Sequence, residues 1–105
     1  GKISLDLIKD VHQRIFIDTD HAGKFRTLGV KVGNHLAPKA ELVEKLMAEL
    51  ETETKLTNLS DLRDWYYALE SIHGFLDGNG RVGGAIVAAY SHYFSPDLGY
   101  LTALQ

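Results

Sequence analysis

The feature that most constrains this chain is a glycine-rich segment, residues 72–84, with the sequence IHGFLDGNGRVGG. It holds five of the ten glycines of the chain, together with one histidine, one aspartate, one asparagine and one arginine. The residues before it repeat apolar side chains at helical spacing, and glycine disfavours helix and permits positive φ. The stretch 81–94, which begins inside the segment, is apolar nearly all round, and this predicts a helix buried at the centre of a bundle. The segment is therefore expected to form the connection between two core helices.

Two helices are predicted upstream of that pair. SLDLIKDVHQRIF (4–16) begins with a serine N-cap and carries apolar residues at helical spacing. KAELVEKLMAELETE (39–53) follows Pro38, which is tolerated in a first helical turn. Its inward-facing residues are expected to be Leu42, Leu46, Met47 and Leu50.

The helix before the glycine segment is predicted over DLRDWYYALESIH (61–73), with Ser60 or Asn58 as its N-cap. The aromatic residues of this helix are expected to lie in the core rather than to stack on a base: Trp65, Tyr66 and Tyr67. In FRTLGVKVG (25–33), apolar and polar residues alternate over 30–32, between glycines at 29 and 33, which indicates a short hairpin. Pro96 is expected to end the last helix, with a short helix or tail over 97–105. The predicted class is all-α with one small β element.

Length and composition narrow the range of functions. With 105 residues the chain is expected to form one domain, 1–105, and its start without methionine suggests a piece of a longer protein. The net charge is −3 and no cluster of basic residues is present, so nucleic acid is not an expected partner. The longest apolar stretch, 85–90, is far below the ~20 residues of a membrane span. Without cysteine, disulfides and thiol catalysis are excluded.

The glycine segment has the composition of an anion site. The first N–H groups of a helix lack intrahelical partners, and glycines let that backbone approach a phosphate closely. Asn79 could orient a phosphate oxygen and Arg81 could pair with one. The Asp77 carboxylate could bind a Mg²⁺ ion that also binds a diphosphate. His73 could act as a general base. Together these residues indicate phosphoryl or nucleotidyl transfer.

Other interpretations of the same residues remain open at this point. GNGRVG (78–83) fits a dinucleotide-binding pattern, but a helix rather than a strand precedes it, which argues against that assignment. Asp77 could instead cap the following helix. The whole segment could be a plain glycine-rich connection. Solvated or capping roles are favoured over a zinc site for three histidines on separate segments: His12, His21 and His35.

The segment resembles the signature of the Fic domain family, His-x-Phe-x-Asp/Glu-Gly-Asn-Gly-Arg-x-x-Arg. Seven positions match at the same spacing, from His73 and Phe75 through the run Asp77–Arg81. GKFRTLGVKVG (23–33) resembles the flap of the same family. The resemblance implies a compact helical bundle with a β-hairpin flap.

The resemblance also implies a role for each motif residue. His73 would take the proton of a Ser, Thr or Tyr hydroxyl on a target protein, Asp77 would hold Mg²⁺, and Phe75 would anchor the loop. The phosphates of a nucleotide, ATP in most members, would be held by the other motif residues: Gly78, Asn79, Gly80 and Arg81. The flap, around Lys31 and Val32, would dock the target by strand addition. Lys24 and Arg26 beside it could meet a target or have no role.

Two positions depart from the family pattern. Gly84 stands where the last arginine of the signature is expected, and Gly74 stands where proline is usual. The missing guanidinium removes a charge-assisted contact to the donor's phosphates. No Ser or Thr in these 105 residues has Glu four residues on, as the inhibitory motif of the family requires. Inhibition, if any, would come from a partner acting in trans or from sequence outside these residues.

Two functions follow from the resemblance. The first is transfer of AMP from ATP to a target hydroxyl, in the cytoplasm or, for an effector, in a host cytosol. The alternative is a nucleotide-sensing or partner-binding module whose chemistry is weakened by Gly84.

Overall fold

The computed structural model describes residues 2–94 and has the predicted class, helical with one small hairpin. Its helices are α1 Leu5–Ile15, α2 Val43–Glu53, α3 Leu59–Ile72 and α4 Asn79–Phe94. Two short strands, β1 Lys31–Val32 and β2 His35–Leu36, lie between α1 and α2. The predicted end of the last helix at Pro96, and the helix or tail after it, lie outside the described residues.

The N-caps of α1 and α3 follow the expected side-chain chemistry. Ser4 is extended, and its hydroxyl accepts a hydrogen bond from the Leu7 N–H. Of the two candidates for α3, Asn58 is the N-cap, because its side-chain oxygen accepts from the Asp61 N–H. Each cap satisfies one of the first helical N–H groups that has no partner inside the helix. The starts of α1 and α3 are thus encoded locally.

The second helix begins later than predicted, and this changes its inward face. A 3₁₀ turn at Ala40–Leu42 precedes α2, since Lys39 is still extended. Leu42, predicted to face inward, is 45% exposed, whereas Val43 is buried. Val43, Met47 and Leu50 form the buried i, i+4, i+7 stripe of α2. The prediction for Leu42 was wrong because the backbone reaches α-helical phase only after the 3₁₀ turn.

Two further burial predictions are corrected. The last helix, α4, packs against α1 and α3 and buries one face, so it does not lie at the centre of a bundle. Ala85, Ala89 and Tyr93 on its other face are exposed. Alanine has too little apolar area to indicate which face is buried, which explains the error. On α3, Trp65 is buried, but Tyr67 is 61% exposed rather than in the core.

The core lies between the four helices and reaches the glycine segment. Its fully buried apolar side chains include Ile8, Met47, Trp65, Leu69, Phe75 and Val82. At Gly83 the backbone of α4 approaches α3 closely, because a Cβ there would lie 2.8 Å from the Tyr66 ring and 3.1 Å from Leu69. A glycine at this point thus brings the two helices on either side of the segment together.

The hairpin is small and exposed. Lys31 pairs with Leu36 and Val32 with His35, around a two-residue turn in which Gly33 has φ +61°. The four strand residues are all exposed. Among residues 2–94, no helix is both long enough and apolar enough to cross a membrane.

Candidate active site

His73 lies at the point where α3 ends and the connection to α4 begins. It is the C-cap of α3, and its backbone is left-handed, with φ 50° and ψ 53°. Within residues 2–94 it is the single non-glycine residue with positive φ. Such a backbone costs about 1–3 kcal/mol and persists where the surroundings hold it in place. The side chain is half-buried, and His73 is the first residue of the loop 73–78.

The loop is closed by a buried asparagine. The Asn79 side-chain oxygen accepts from the Phe75 N–H at 2.9 Å, and its amide nitrogen donates to the Phe75 carbonyl at 2.8 Å. Phe75 is fully buried, as an anchor must be. In this structure the Asn79 side chain holds the loop through its two hydrogen bonds to Phe75. Phosphate binding by Asn79 stays a prediction.

Asp77 and Gly78 form the end of the loop before α4. The Asp77 carboxylate is exposed and one of its oxygens accepts from the Gly78 N–H at 2.8 Å. An N-cap would accept from the second or third residue of the helix, so this bond does not make Asp77 the cap of α4. Gly78 has φ +82°, and a Cβ there would lie 2.2 Å from the Phe16 ring. The backbone therefore bends at a point that only glycine can occupy.

The start of α4 presents free donors beside these groups. The Asn79, Gly80 and Arg81 N–H groups have no acceptor among the described residues, as expected for a first helical turn. Gly80 is exposed, and the Arg81 guanidinium lies over the Phe16 ring, 5.4 Å from its centroid. Asp77, Gly78, Gly80 and Arg81 are thus adjacent at one end of α4, as a phosphate site requires.

His12, which was expected to be solvated or to cap a helix, instead supports the loop 73–78. His12 on α1 is fully buried and stacks on Phe75, with ring centroids 3.9 Å apart and planes 13° apart. Its Nδ1 accepts from the Gly23 N–H, which can only donate, so the proton lies on Nε2. Nε2 donates to the Asp77 carbonyl at 2.9 Å. Burial lowers the pKa of His12, with the Asp77 carbonyl acting in the opposite direction.

The other two histidines of the trio do not complete a metal site. The His21 ring centroid lies 5.8 Å from that of His12, whereas His35 lies in the hairpin. Both ring nitrogens of His12 are already hydrogen-bonded. Within residues 2–94 no three His, Asp or Glu side chains converge on one metal position.

Arg26 is also placed differently from the prediction. It was expected to meet a target or to have no role, but its side chain is only 5% exposed. Its Nε donates to the His73 carbonyl at 2.6 Å, and its backbone N–H donates to the Gly74 carbonyl. Nothing in the local sequence separates Arg26 from Lys24, which is exposed. What distinguishes Arg26 is its hydrogen-bond partner His73, which lies 47 residues away along the chain.

The protonation of His73 follows from the same surroundings. Burial lowers the pKa of His73 below its ordinary value; the Glu70 carboxylate raises it, Arg26 lowers it and Asp77 raises it. The net shift is downward, so the imidazole is neutral near pH 7. A neutral imidazole at this position can accept a proton from a hydroxyl group.

The hairpin offers main-chain groups on its outer edge. The Ala37 N–H donates to the Val30 carbonyl, which makes Val30 and Ala37 a hydrogen-bonded pair. Hydrogen-bonded and non-hydrogen-bonded pairs alternate, so the N–H and carbonyl of Lys31 point away from β2. Val32 uses its main chain within the hairpin and exposes its side chain. Lys31 and Val32 are therefore positioned differently: the main chain of Lys31 is available to another strand and the side chain of Val32 to solvent.

Comparison with known proteins identifies the family. The sequence model of the Fic/DOC family matches residues 2–91. The chain belongs to the Fic/DOC family. A solved Fic family protein from Desulfovibrio desulfuricans G20 is 30% identical, superposes with a TM-score of 0.71, and is matched over 95% of this chain and 34% of that one. The expected Fic-type helical bundle with a hairpin is thereby confirmed.

Two curated Fic relatives carry an activity in their names. The protein adenylyltransferase Fic of Drosophila erecta is 33% identical over 88 residues, which cover 76% of this chain and 18% of that protein. A protein adenylyltransferase from Caenorhabditis briggsae is 32% identical over 88 residues, which cover 76% of this chain and 17% of that protein. The chain thus spans less than a fifth of the length of these relatives.

The two departures from the Fic signature have different surroundings. Gly84 is half-buried on α4, three residues after Arg81. Gly74 is buried, and a Cβ there would lie 3.3 Å from Val43 and 3.4 Å from the Met47 sulfur. The Gly74 carbonyl accepts from the Arg26 N–H at 2.8 Å. The loop at Gly74 is therefore supported by packing and by a hydrogen bond even without proline.

Proposed function

We propose that this Fic domain transfers AMP from ATP to a Ser, Thr or Tyr hydroxyl of a target protein. One observation carries the proposal. His73, the Asp77 carboxylate and the free N–H groups of the first turn of α4 lie within a single loop and helix start that buried residues hold in shape. The names of the two curated relatives support the same activity.

The phosphates of ATP would lie at the N-terminus of α4. The Gly80 and Arg81 N–H groups would donate to them, the helix dipole favours a negative charge there, and the Arg81 side chain would add a charge-assisted contact. Glycine at 80 keeps a side chain out of the space beside that backbone, whereas glycine at 78 allows the backbone to turn against the Phe16 ring. The resulting arrangement would orient the α-phosphate towards His73.

Asp77 suits a magnesium ion bound together with phosphate. Its carboxylate is exposed and has one oxygen without a hydrogen bond among the described residues. One carboxylate with substrate phosphates is a common Mg²⁺ environment, whereas a cage made of protein ligands would need more carboxylates than are present here. When bound, Mg²⁺ would neutralise the charge that develops on the phosphates.

The chemical step would be a displacement at the α-phosphorus. The target oxygen forms a bond to that phosphorus, the bond to the oxygen shared with the β-phosphate breaks, and pyrophosphate leaves. The hydroxyl proton passes to the neutral imidazole of His73. The lowered pKa of His73 keeps the imidazole in its basic form at neutral pH.

The hairpin would hold the target as an added strand. The outward N–H and carbonyl of Lys31 are the groups that an incoming extended peptide would pair with. Since this contact would be made by the main chain, it would place a target hydroxyl beside His73 without dictating the target sequence.

The test is the intact mass of the protein after incubation with Mg²⁺ and ATP, GTP, UTP, CTP or CDP-choline in turn. We expect a gain of one AMP with ATP, because the domain itself supplies accessible hydroxyls, and no gain when Mg²⁺ is chelated. His73→Ala should lower the rate at least ~10²-fold. His92→Ala is the matched control, since His92 is exposed on α4. A His73→Ala protein that reacts at the normal rate would refute the proposal.

A second candidate function is nucleotide binding with little or no transfer, and Gly84 is the observation that favours it. Without a guanidinium at position 84, the terminal phosphate of a triphosphate would be bound less tightly. Gly84→Arg should then raise the transfer rate, measured by the same mass assay, and tighten ATP binding, measured by calorimetry. If Gly84→Arg changes neither quantity, this candidate loses its basis.

A further inference from the structure

Arg26 occupies a position that joins three parts of the molecule. Its guanidinium donates to the carbonyls of Leu28 and Pro38, at 2.8 and 2.6 Å, which lie before β1 and after β2. It also donates to the carbonyls of Ile72 and His73, at 3.3 and 2.6 Å, at the end of α3. One side chain therefore binds both stems of the hairpin and the backbone of the candidate base.

The charge of Arg26 is compensated by helix carbonyls. No carboxylate forms an ion pair with Arg26 in the described part of the chain. The Ile72 and His73 carbonyls belong to the last turn of α3, which has no intrahelical donors for them and carries the negative end of the helix dipole. Arginine keeps its proton in this setting, and its planar fork supplies several donors in fixed directions. A lysine ammonium could not reproduce this pattern.

The left-handed backbone of His73 gives these bonds their importance. The Arg26 Nε holds the His73 carbonyl, and the Arg26 N–H holds the next carbonyl, that of Gly74. Both peptide groups after the strained Cα of His73 are thus fixed by the same residue. An unfavourable φ of this kind persists only when its surroundings determine it.

We propose that Arg26 is a positioning residue that sets the His73 imidazole relative to the hairpin, so that a strand docked on the hairpin and the base form one rigid unit. The expected effect on transfer rests on the proposed function. The coupling between the hairpin and His73 rests only on the hydrogen bonds of Arg26. Arg26 makes no hydrogen bond to Asp77 or to the first turn of α4. Its removal should therefore affect transfer and leave nucleotide binding intact.

The kinetic test compares Arg26→Lys and Arg26→Met with the unaltered chain. We expect transfer to fall about 10-fold or more, since misplacing a catalytic group by about 1 Å can cost ~10²-fold, while the Kd for ATP stays within about twofold. Arg14→Met is the matched control, because Arg14 is an arginine whose side chain is 78% exposed. Normal transfer by Arg26→Lys, or equal losses of transfer and ATP affinity, would overturn the proposal.

Amide hydrogen exchange tests the coupling without any activity. In Arg26→Lys we expect the Ala37 and His73 amides to exchange faster together. The Val82 amide on α4, which donates to the Gly78 carbonyl, should keep its rate. Faster exchange at Ala37 with an unchanged rate at His73 would contradict the coupling. If Arg26→Met does not fold, Arg26→Lys carries both measurements. If the unaltered chain transfers nothing from any donor, the proposed function fails and exchange alone decides on Arg26.

Discussion

The glycine segment and the hairpin are both loops between helices, yet the protein holds them in opposite ways. In the glycine segment, Asn79 binds both backbone groups of Phe75, and His12 binds the Asp77 carbonyl. The two strands of the hairpin are joined by only two residue pairs, and Val32 and Leu36 are 46% and 75% exposed. In the proposed function, the preshaped segment would hold small charged groups, whereas the free edge of the hairpin would pair with a partner's main chain. The proposed function thus assigns the reaction to the rigidly supported loop and the docking of an extended partner to the exposed one.

The largest expected effect of a single change is at Gly78. Gly78→Ala would force a Cβ to within 2.2 Å of the Phe16 ring at a φ of +82°. We expect a loss of about 3–5 kcal/mol in the free energy of unfolding, from overpacking together with a left-handed backbone. Urea denaturation measures it. Gly29→Ala is the control, because a Cβ at Gly29 meets nothing within 4 Å and should change stability by less than about 1 kcal/mol. Equal effects at the two glycines would remove the contrast between the loops.

The next effect is expected at Asn79. Asn79→Ala leaves the buried N–H and carbonyl of Phe75 without partners, which should cost about 2–3 kcal/mol of folding stability. Thermal unfolding measures this cost. Asn34→Ala, in the exposed turn of the hairpin, should be nearly neutral. If the Asn79→Ala protein were as stable as the unaltered chain and had lost only ATP binding, the Asn79 side chain would instead be assigned to direct phosphate binding.

In the hairpin the effect should appear in transfer rather than in stability. Lys31→Pro removes an N–H that points away from β2, so no bond of the hairpin is lost and stability should fall by less than about 1 kcal/mol. Transfer to a protein target should nevertheless drop about 10-fold, in a mass assay with a model protein substrate. Lys31→Ala keeps the main chain and should retain most of the activity. Loss of activity in Lys31→Ala alone would indicate side-chain recognition.

The smallest expected effect is the dependence on pH. The pKa of His73 is lower in the folded protein than in the unfolded chain, so between the two values the unfolded chain binds more protons. This contribution to stability is present above pH ~6.5 and is lost as the pH falls through the folded pKa. The transfer rate should decline over the same acidic range, as the base is protonated. A rate that declines only above pH 7, in a pH series with constant ionic strength, would contradict the assignment of His73 as base.

Much of the fold could be predicted from local patterns. Helical spacing and the capping side chains of Ser4 and Asn58 placed α1 and α3 correctly, and the glycine segment marked the break before α4. Prediction failed where tertiary contacts choose between similar residues. Tyr66 and Tyr67 are neighbours on α3, but one packs partly against Gly83 of α4 and the other faces solvent.

The motif of the candidate site was visible in the sequence, and its supports were not. His73, Asp77 and the glycines lie within a few residues of one another, so their spacing alone indicates a phosphate site with a base. His12 and Arg26 hold that site from 65 and 47 residues away along the chain. Their partners are backbone carbonyls, which every residue has, and no residue type marks them.

The sequence by itself determined the helices, the position of the break between α3 and α4, and the chemical groups gathered at that break. These depend on interactions between residues that are near one another along the chain. Only the tertiary structure decided that His12 and Arg26 are buried and that the Asn79 side chain shapes the loop. A polar group becomes a support only when folding brings an unpaired carbonyl or N–H to it in the absence of water, and that depends on the whole arrangement of helices.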